Sequence, residues 1–90
     1  VGSADAPKNT SVDITGRICE NTDRLATNRD FPHVEEGDLL AVMDVGAYGF
    51  SMSHQFCTRP RSAEILLDGE TASVIRKRET IQDIFRQCYD

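Results

Sequence analysis

Ala63-Glu64-Ile65-Leu66-Leu67-Asp68-Gly69-Glu70-Thr71-Ala72-Ser73-Val74-Ile75 is the stretch on which the fold class turns. Two runs of aliphatic and β-branched residues flank an Asp-Gly pair, the layout of a β-hairpin. Asp68-Gly69 suits a type I′ turn, whose two central residues both take positive φ. Toward the carboxy end the period changes. Ile81, Ile84 and Phe85 fall at i, i+3 and i+4, one face of a short helix over 79–87. Toward the amino end, Phe50-Ser51-Met52-Ser53 alternates after Gly49 and reads as a further strand. Leu39-Leu40-Ala41-Val42-Met43 is a continuous apolar run between the Glu35-Glu36-Gly37-Asp38 turn and Gly46, and reads as a central strand covered on both faces. Val12 and Ile14 alternate with Ser11, Asp13 and Thr15, a half-buried strand. From Asn21 to Pro32 the chain is polar and reads as an irregular connection carrying one short strand. Residues 1–10 are small, polar or proline-containing and read as a linker. Short strands with frequent turn signals predict a mainly β fold, a small Greek-key-like β-barrel or sandwich with a short C-terminal helix.

The chain has 90 residues, of which 39% are apolar and 28% charged, the balance of a globular domain rather than a disordered tail. A domain this small buries only about 60% of the surface its unfolded chain exposes, so its core is modest. Fifteen acidic against ten basic side chains give a net charge of −5, which disfavours nucleic acid and anionic membrane surfaces as partners. The basic groups Arg59 with Arg61 and Arg76-Lys77-Arg78 are small and lack interleaved aromatics, so they read as solvated faces. No apolar run approaches the roughly 18 residues of a membrane-spanning helix. No basic segment followed by an apolar stretch marks a secretory signal, and a start at Val1 rather than Met reads as a processed product or a fragment. Cys19, Cys57 and Cys88 are odd in number and widely spaced, with no CxxC pair. They read as reduced thiols of a cytoplasmic protein, not as a disulfide framework or a zinc site. His54 and Cys57 have ligand-like spacing but no second pair, so no metal is expected. His33 needs no special role, and the Asn9-Thr10-Ser11 sequon is irrelevant to a cytosolic chain.

Three strings carry chemistry. In Gly16-Arg17-Ile18-Cys19-Glu20-Asn21-Thr22-Asp23, a thiol beside a carboxylate offers a proton donor and an anchor for an ammonium group; locally it also reads as a small buried hydrophobe before a surface acid. In Asp44-Val45-Gly46-Ala47-Tyr48-Gly49-Phe50-Ser51-Met52, two glycines bracket a phenol that can donate to a phosphate or carboxylate, or that packs in a core. Neither GxxxxGK[ST] nor GxGxxG is present. In Thr58-Arg59-Pro60-Arg61-Ser62-Ala63-Glu64, two arginines flank a proline and can clamp a carboxylate, pair across an interface, or lead into a strand.

Taken in order, Ile18-Cys19-Glu20 with Asp23, Glu36-Gly37-Asp38-Leu39-Leu40, Gly46-Ala47-Tyr48-Gly49-Phe50-Ser51-Met52, and Arg59-Pro60-Arg61 with Ala63-Glu64 resemble the carboxy-terminal β domain of diaminopimelate decarboxylase over roughly residues 14–68. The resemblance implies a pyridoxal 5′-phosphate enzyme of the alanine racemase-like group, converting meso-2,6-diaminopimelate to L-lysine and carbon dioxide in the cytoplasm. On this reading, residues 1–90 are a single C-terminal domain of a two-domain protein. Its amino-terminal (β/α)₈ barrel, with the lysine that holds the cofactor, is missing. The resemblance further implies a homodimer whose Cys19 and Glu20 enter the partner subunit's site, Cys19 as the catalytic proton donor and Glu20 as a substrate contact. Tyr48 would line its own subunit's site, touching cofactor and substrate. Two features depart from the family pattern: Arg17 stands where proline is common, and His54-Gln55-Phe56-Cys57 replaces a stretch usually built around Asn-Tyr-Asn. Neither Lys8 nor Lys77 lies in a matching motif, so the fragment alone is expected to be inactive, and only marginally stable without the barrel. The alternative is a non-catalytic, decarboxylase-like dimerisation or interaction module.

Overall fold

The alternation of Val12 and Ile14 with polar neighbours becomes strand β1 (Thr10–Thr15), whose every second residue is half-buried. It pairs antiparallel with β2 (Arg24–Phe31). This computed structural model describes residues 2 and 5–88, so part of the linker-like reading of 1–10 lies outside the described residues. The segment 21–32 thus holds an eight-residue strand, longer than its polar sequence predicts. The register explains why alternation is masked there: Val12 faces Arg29, Ile14 faces Ala26 and Thr15 faces Arg24, so β2 carries an extra residue at each of two places opposite β1, the first of them at Asn28. Asn28 takes φ 50° at this bulge, a left-handed conformation that asparagine tolerates. Its amide donates to Asp13 Oδ1 at 2.7 Å, which satisfies the donor the bulge takes out of the ladder.

The chain divides into two compact units, Val1–Val42 and Met43–Asp90, and the second holds the other sheet. Strands β3 (Glu64–Asp68) and β4 (Thr71–Arg76) form the antiparallel hairpin read from 63–75. The turn differs from the expected type I′. Asp68 pairs with Thr71, so the central residues are Gly69 and Glu70, and of these only Gly69 has positive φ, at 61°. A positive first and negative second position is the sign pattern of a type II′ turn, where glycine belongs at the first.

The C-terminal helix runs Ile81–Phe85 and tightens into a 3₁₀ turn at Arg86–Cys88. Its start is fixed by a capping box: Thr80 Oγ1 accepts from the Asp83 amide at 3.2 Å, and Asp83 Oδ2 accepts from the Thr80 amide at 2.8 Å. That backbone bond, then the Thr80 hydroxyl and the nearby Arg86 guanidinium, hold the Asp83 carboxyl below its usual 3.8. A carboxyl lowered on folding contributes stability above its ordinary pKa and loses it as pH falls through the folded value. In an NMR titration the Thr80 amide should therefore shift with an inflection below 3.8, and Asp83→Asn should abolish that inflection.

Two sequence expectations are corrected. Leu39–Met43 is not a strand; it is coil, and Leu39 and Met43 are 72% and 75% exposed. A strand covered on both faces needs pairing neighbours, and among the described residues each sheet has two strands, neither including this run. Phe50–Ser53 is a turn rather than a strand, because Met52 N bonds Tyr48 O at 3.0 Å and Ser53 N bonds Phe50 O at 2.9 Å. Among the described residues the barrel is accordingly not closed, and the architecture is two small two-stranded antiparallel sheets and a short helix. Among the described residues only Pro32 is buried, and Ile65, Leu66, Leu67, Val74 and Ile75 of the hairpin are each more than half exposed. Isolated two-stranded sheets are marginal in water, and exposed apolar area of this kind is stabilised only when something covers it.

Candidate active site

The loop between β1 and β2 is built around one carboxylate. Asp23 Oδ2 accepts from the Ile18 amide at 2.9 Å, its backbone carbonyl accepts from Gly16 N at 2.8 Å, and its own amide donates to Glu20 O at 2.9 Å. Three bonds from one residue close Gly16–Asp23 into a fixed arch, with Cys19 and Glu20 at its crown. A Cβ on Gly16 would lie 2.0 Å from Asp23 Oδ2, so the arch requires glycine there for close approach. Cys19 is exposed with a free thiol, which rules out the reading of a buried small hydrophobe. Glu20 is exposed too, and its Oε1 accepts from both the amide and the hydroxyl of Thr22 at 3.2 Å. Local spacing alone did not reveal the part played by Asp23. Its signal is an aspartate three residues beyond Glu20, placed to accept bonds from loop amides.

Tyr48 lies in the second unit. Gly46–Gly49 closes one helical hydrogen bond, Gly49 N to Val45 O at 3.0 Å, but its central dihedrals are those of a type II turn. Ala47 has φ −70°, ψ 129° and Tyr48 has φ 68°, ψ −11°. The second central position of that turn favours glycine, and a bulky residue there is an outlier costing on the order of 1–3 kcal/mol. The phenol is presented outward, 71% exposed. The turn places this side chain where a core tyrosine would not be.

The next residue with a structural role is Phe50, half-buried, with the guanidinium carbons of Arg61 and Arg76 over its ring at 3.8 and 4.1 Å. The two cations are neutralised separately. Arg76 Nε donates to Glu64 Oε2 at 2.7 Å, while Arg61 Nε lies 3.8 Å from Glu79 Oε1. Arg61 also reaches the backbone, donating from Nη2 to Phe50 O at 2.7 Å and from Nε to Ser53 Oγ at 2.8 Å. Gln55 Nε2 donates to the other oxygen of Glu79. Of the two arginines flanking Pro60, Arg61 is thus held inside this unit, and Arg59 is exposed.

A model of the pyridoxal-dependent decarboxylase C-terminal sheet domain matches residues 1–46, about half of the chain. The chain belongs to that family. Diaminopimelate decarboxylases are among its relatives, at 47% identity over 83% of this chain and 18% of the protein from Methanothermobacter thermautotrophicus, and 53% identity over 83% and 18% for that from Pseudomonas fluorescens. Among solved structures, diaminopimelate decarboxylase from M. jannaschii in complex with L-lysine superposes with TM-score 0.85 at 37% identity, covering 93% of this chain and 20% of that one. The Helicobacter pylori enzyme complexed with L-lysine gives 0.80 at 39%, covering 86% and 19%. The chain therefore spans about a fifth of the length of the relatives it matches.

This sheet domain of the decarboxylase family presents a thiol, a carboxylate and a phenol to solvent on two tightly bonded loops. Lys8 and Lys77 are exposed and sit in coil outside both loops. A thiol, a carboxylate and a phenol can each hydrogen-bond a ligand that carries phosphate, carboxylate or ammonium groups. Among the described residues no group of three or more metal-ligating side chains gathers, and no helix is long and apolar enough to cross a membrane.

Proposed function

We propose that this chain is the carboxy-terminal domain of a pyridoxal 5′-phosphate-dependent diaminopimelate decarboxylase, which converts meso-2,6-diaminopimelate to L-lysine and carbon dioxide. The observation that carries the reading is the outward-facing Cys19–Glu20 pair on the Asp23-closed arch. L-lysine in two structural relatives is the product this reaction would leave. An amino-terminal barrel of the same polypeptide supplies the cofactor lysine, and a second copy completes the site in a cytoplasmic homodimer. The uncovered apolar hairpin face supports a domain that is packed against other protein in use.

Pyridoxal phosphate, when bound, supplies the electron sink that lets the substrate carboxyl group leave. The rest falls to this chain's side chains. Cys19 Sγ–H delivers a proton to the carbon that lost its carboxyl group. Glu20 exchanges its bonds to Thr22 for the distal ammonium of the substrate, a charge-assisted contact. The Tyr48 hydroxyl donates to cofactor phosphate or substrate carboxylate. Glu20→Gln should raise KM for diaminopimelate by about tenfold with a smaller change in kcat, because the contact is to a part of the substrate that does not react. Steady-state kinetics would show it; an unchanged KM removes Glu20 from the substrate site. The reading as a whole is tested by decarboxylation assays on the full-length protein with diaminopimelate against ornithine, lysine and arginine. Preference for any of the other three overturns the assignment.

A further inference from the structure

Tyr48 holds a left-handed conformation that its side chain disfavours, and such a conformation persists only where the surroundings over-determine it. The surroundings are specific. Phe50 O, two residues on, accepts from three donors: the Ser53 amide, the Ser53 hydroxyl and Arg61 Nη2. Arg61 stacks on the Phe50 ring at 3.8 Å and is itself fixed by Ser53 Oγ and by Glu79. Glu79 N in turn donates to Arg61 O at 3.2 Å, tying the lead-in to β3 to the segment before the C-terminal helix. Arg61 thus couples the segment after the strained turn to the lead-in of β3 and to the segment before the C-terminal helix, while Arg76 meets that first segment only at the Phe50 ring.

We propose that Arg61 is a positioning residue for Tyr48: it pins the Phe50 carbonyl and ring, which holds the 46–53 turn in the form that presents the phenol. The proposal rests on the reading of Tyr48 as a substrate- and cofactor-facing residue. Lysine cannot replace it, because the planar fork makes two hydrogen bonds and a ring stack at once, and an ammonium does not. Arg61 is a positioning residue and not a catalytic one, since its guanidinium is engaged entirely within its own unit.

The test uses the full-length holoenzyme with Arg61→Lys, Tyr48→Phe and the double variant, and Ser53→Ala as a milder change to the same anchor. Hydrogen exchange should quicken by about tenfold in the peptide spanning 48–53 of Arg61→Lys, with the cofactor absorbance and the other peptides unchanged. The value of kcat/KM should fall by on the order of ten- to a hundredfold. In the Tyr48→Phe background the same change should cost little more, because both substitutions disable one group. Ser53→Ala should move both readouts in the same direction by less. Unchanged exchange at 48–53, or fold-losses that multiply in the double variant, would overturn the proposal. Full activity of Tyr48→Phe alone would instead remove Tyr48 from the site, and the exchange result would still decide whether Arg61 holds the turn.

Discussion

On the proposed function, Cys19→Ala in the full-length protein should lower kcat by on the order of 10²–10⁴-fold, the usual contribution of a positioned proton donor. The thiol is exposed on an arch closed by other residues, so its removal leaves no buried cavity and breaks no bond of the loop. Thermal stability and cofactor absorbance should therefore match wild type, which separates a chemical role from a structural one. Cys19→Ser should recover little, because a hydroxyl is a far weaker acid than a thiol. Single-turnover kinetics followed by product formation give the measurement. Wild-type turnover in Cys19→Ala would remove the thiol from the reaction.

Gly16→Ala should be nearly as damaging, although Gly16 carries no reactive group. The added Cβ would lie 2.0 Å from Asp23 Oδ2, well inside contact distance. The carboxylate must then move, releasing the Ile18 amide that it accepts at 2.9 Å. The crown of the arch shifts with it, and misplacing a proton donor by about 1 Å costs on the order of 10²-fold in rate. Asp23→Asn should be milder, since the amide oxygen keeps one acceptor for Ile18. Kinetics of both variants, with the exchange rate of the Ile18 amide, check the order. If Gly16→Ala leaves that amide protected and turnover intact, Asp23 does not set the arch.

Elements governed by near neighbours were legible in the sequence. The alternation in 11–15, the Gly37 turn with φ 91°, the hairpin and the final helix stand where period and turn chemistry predict them. Structure departs from local pattern where the pattern depends on distant partners. Leu39–Met43 has the apolar content of a covered strand, but strand formation needs a neighbouring edge, and the run is coil. In 24–31 the bulge at Asn28 breaks the period of two that would have announced the strand. The turn at 68–71 lies one position beyond the Asp-Gly pair, because Asp-Gly fits two different turns and only the pairing of Asp68 with Thr71 selects between them. For the candidate site, the ordered strings pointed to Cys19, Glu20 and Tyr48, whereas the duties of Asp23 and Arg61 were invisible in their spacing.

The amino-acid order by itself determined β1, the β3–β4 hairpin and the C-terminal helix, the family to which the chain belongs, and the residue types available for chemistry. The elements follow from side-chain size, charge and period over a few neighbours, whereas the family rests on the ordered match of whole strings such as Ile18-Cys19-Glu20 and Gly46-Ala47-Tyr48-Gly49. Tertiary structure alone decided that Asp23 closes the arch beneath Cys19, that Tyr48 sits in a left-handed turn, and that Phe50 lies against the guanidinium groups of Arg61 and Arg76. Hydrogen-bond direction and ring stacking depend on where the folded backbone brings separate segments, and no local pattern encodes that distance.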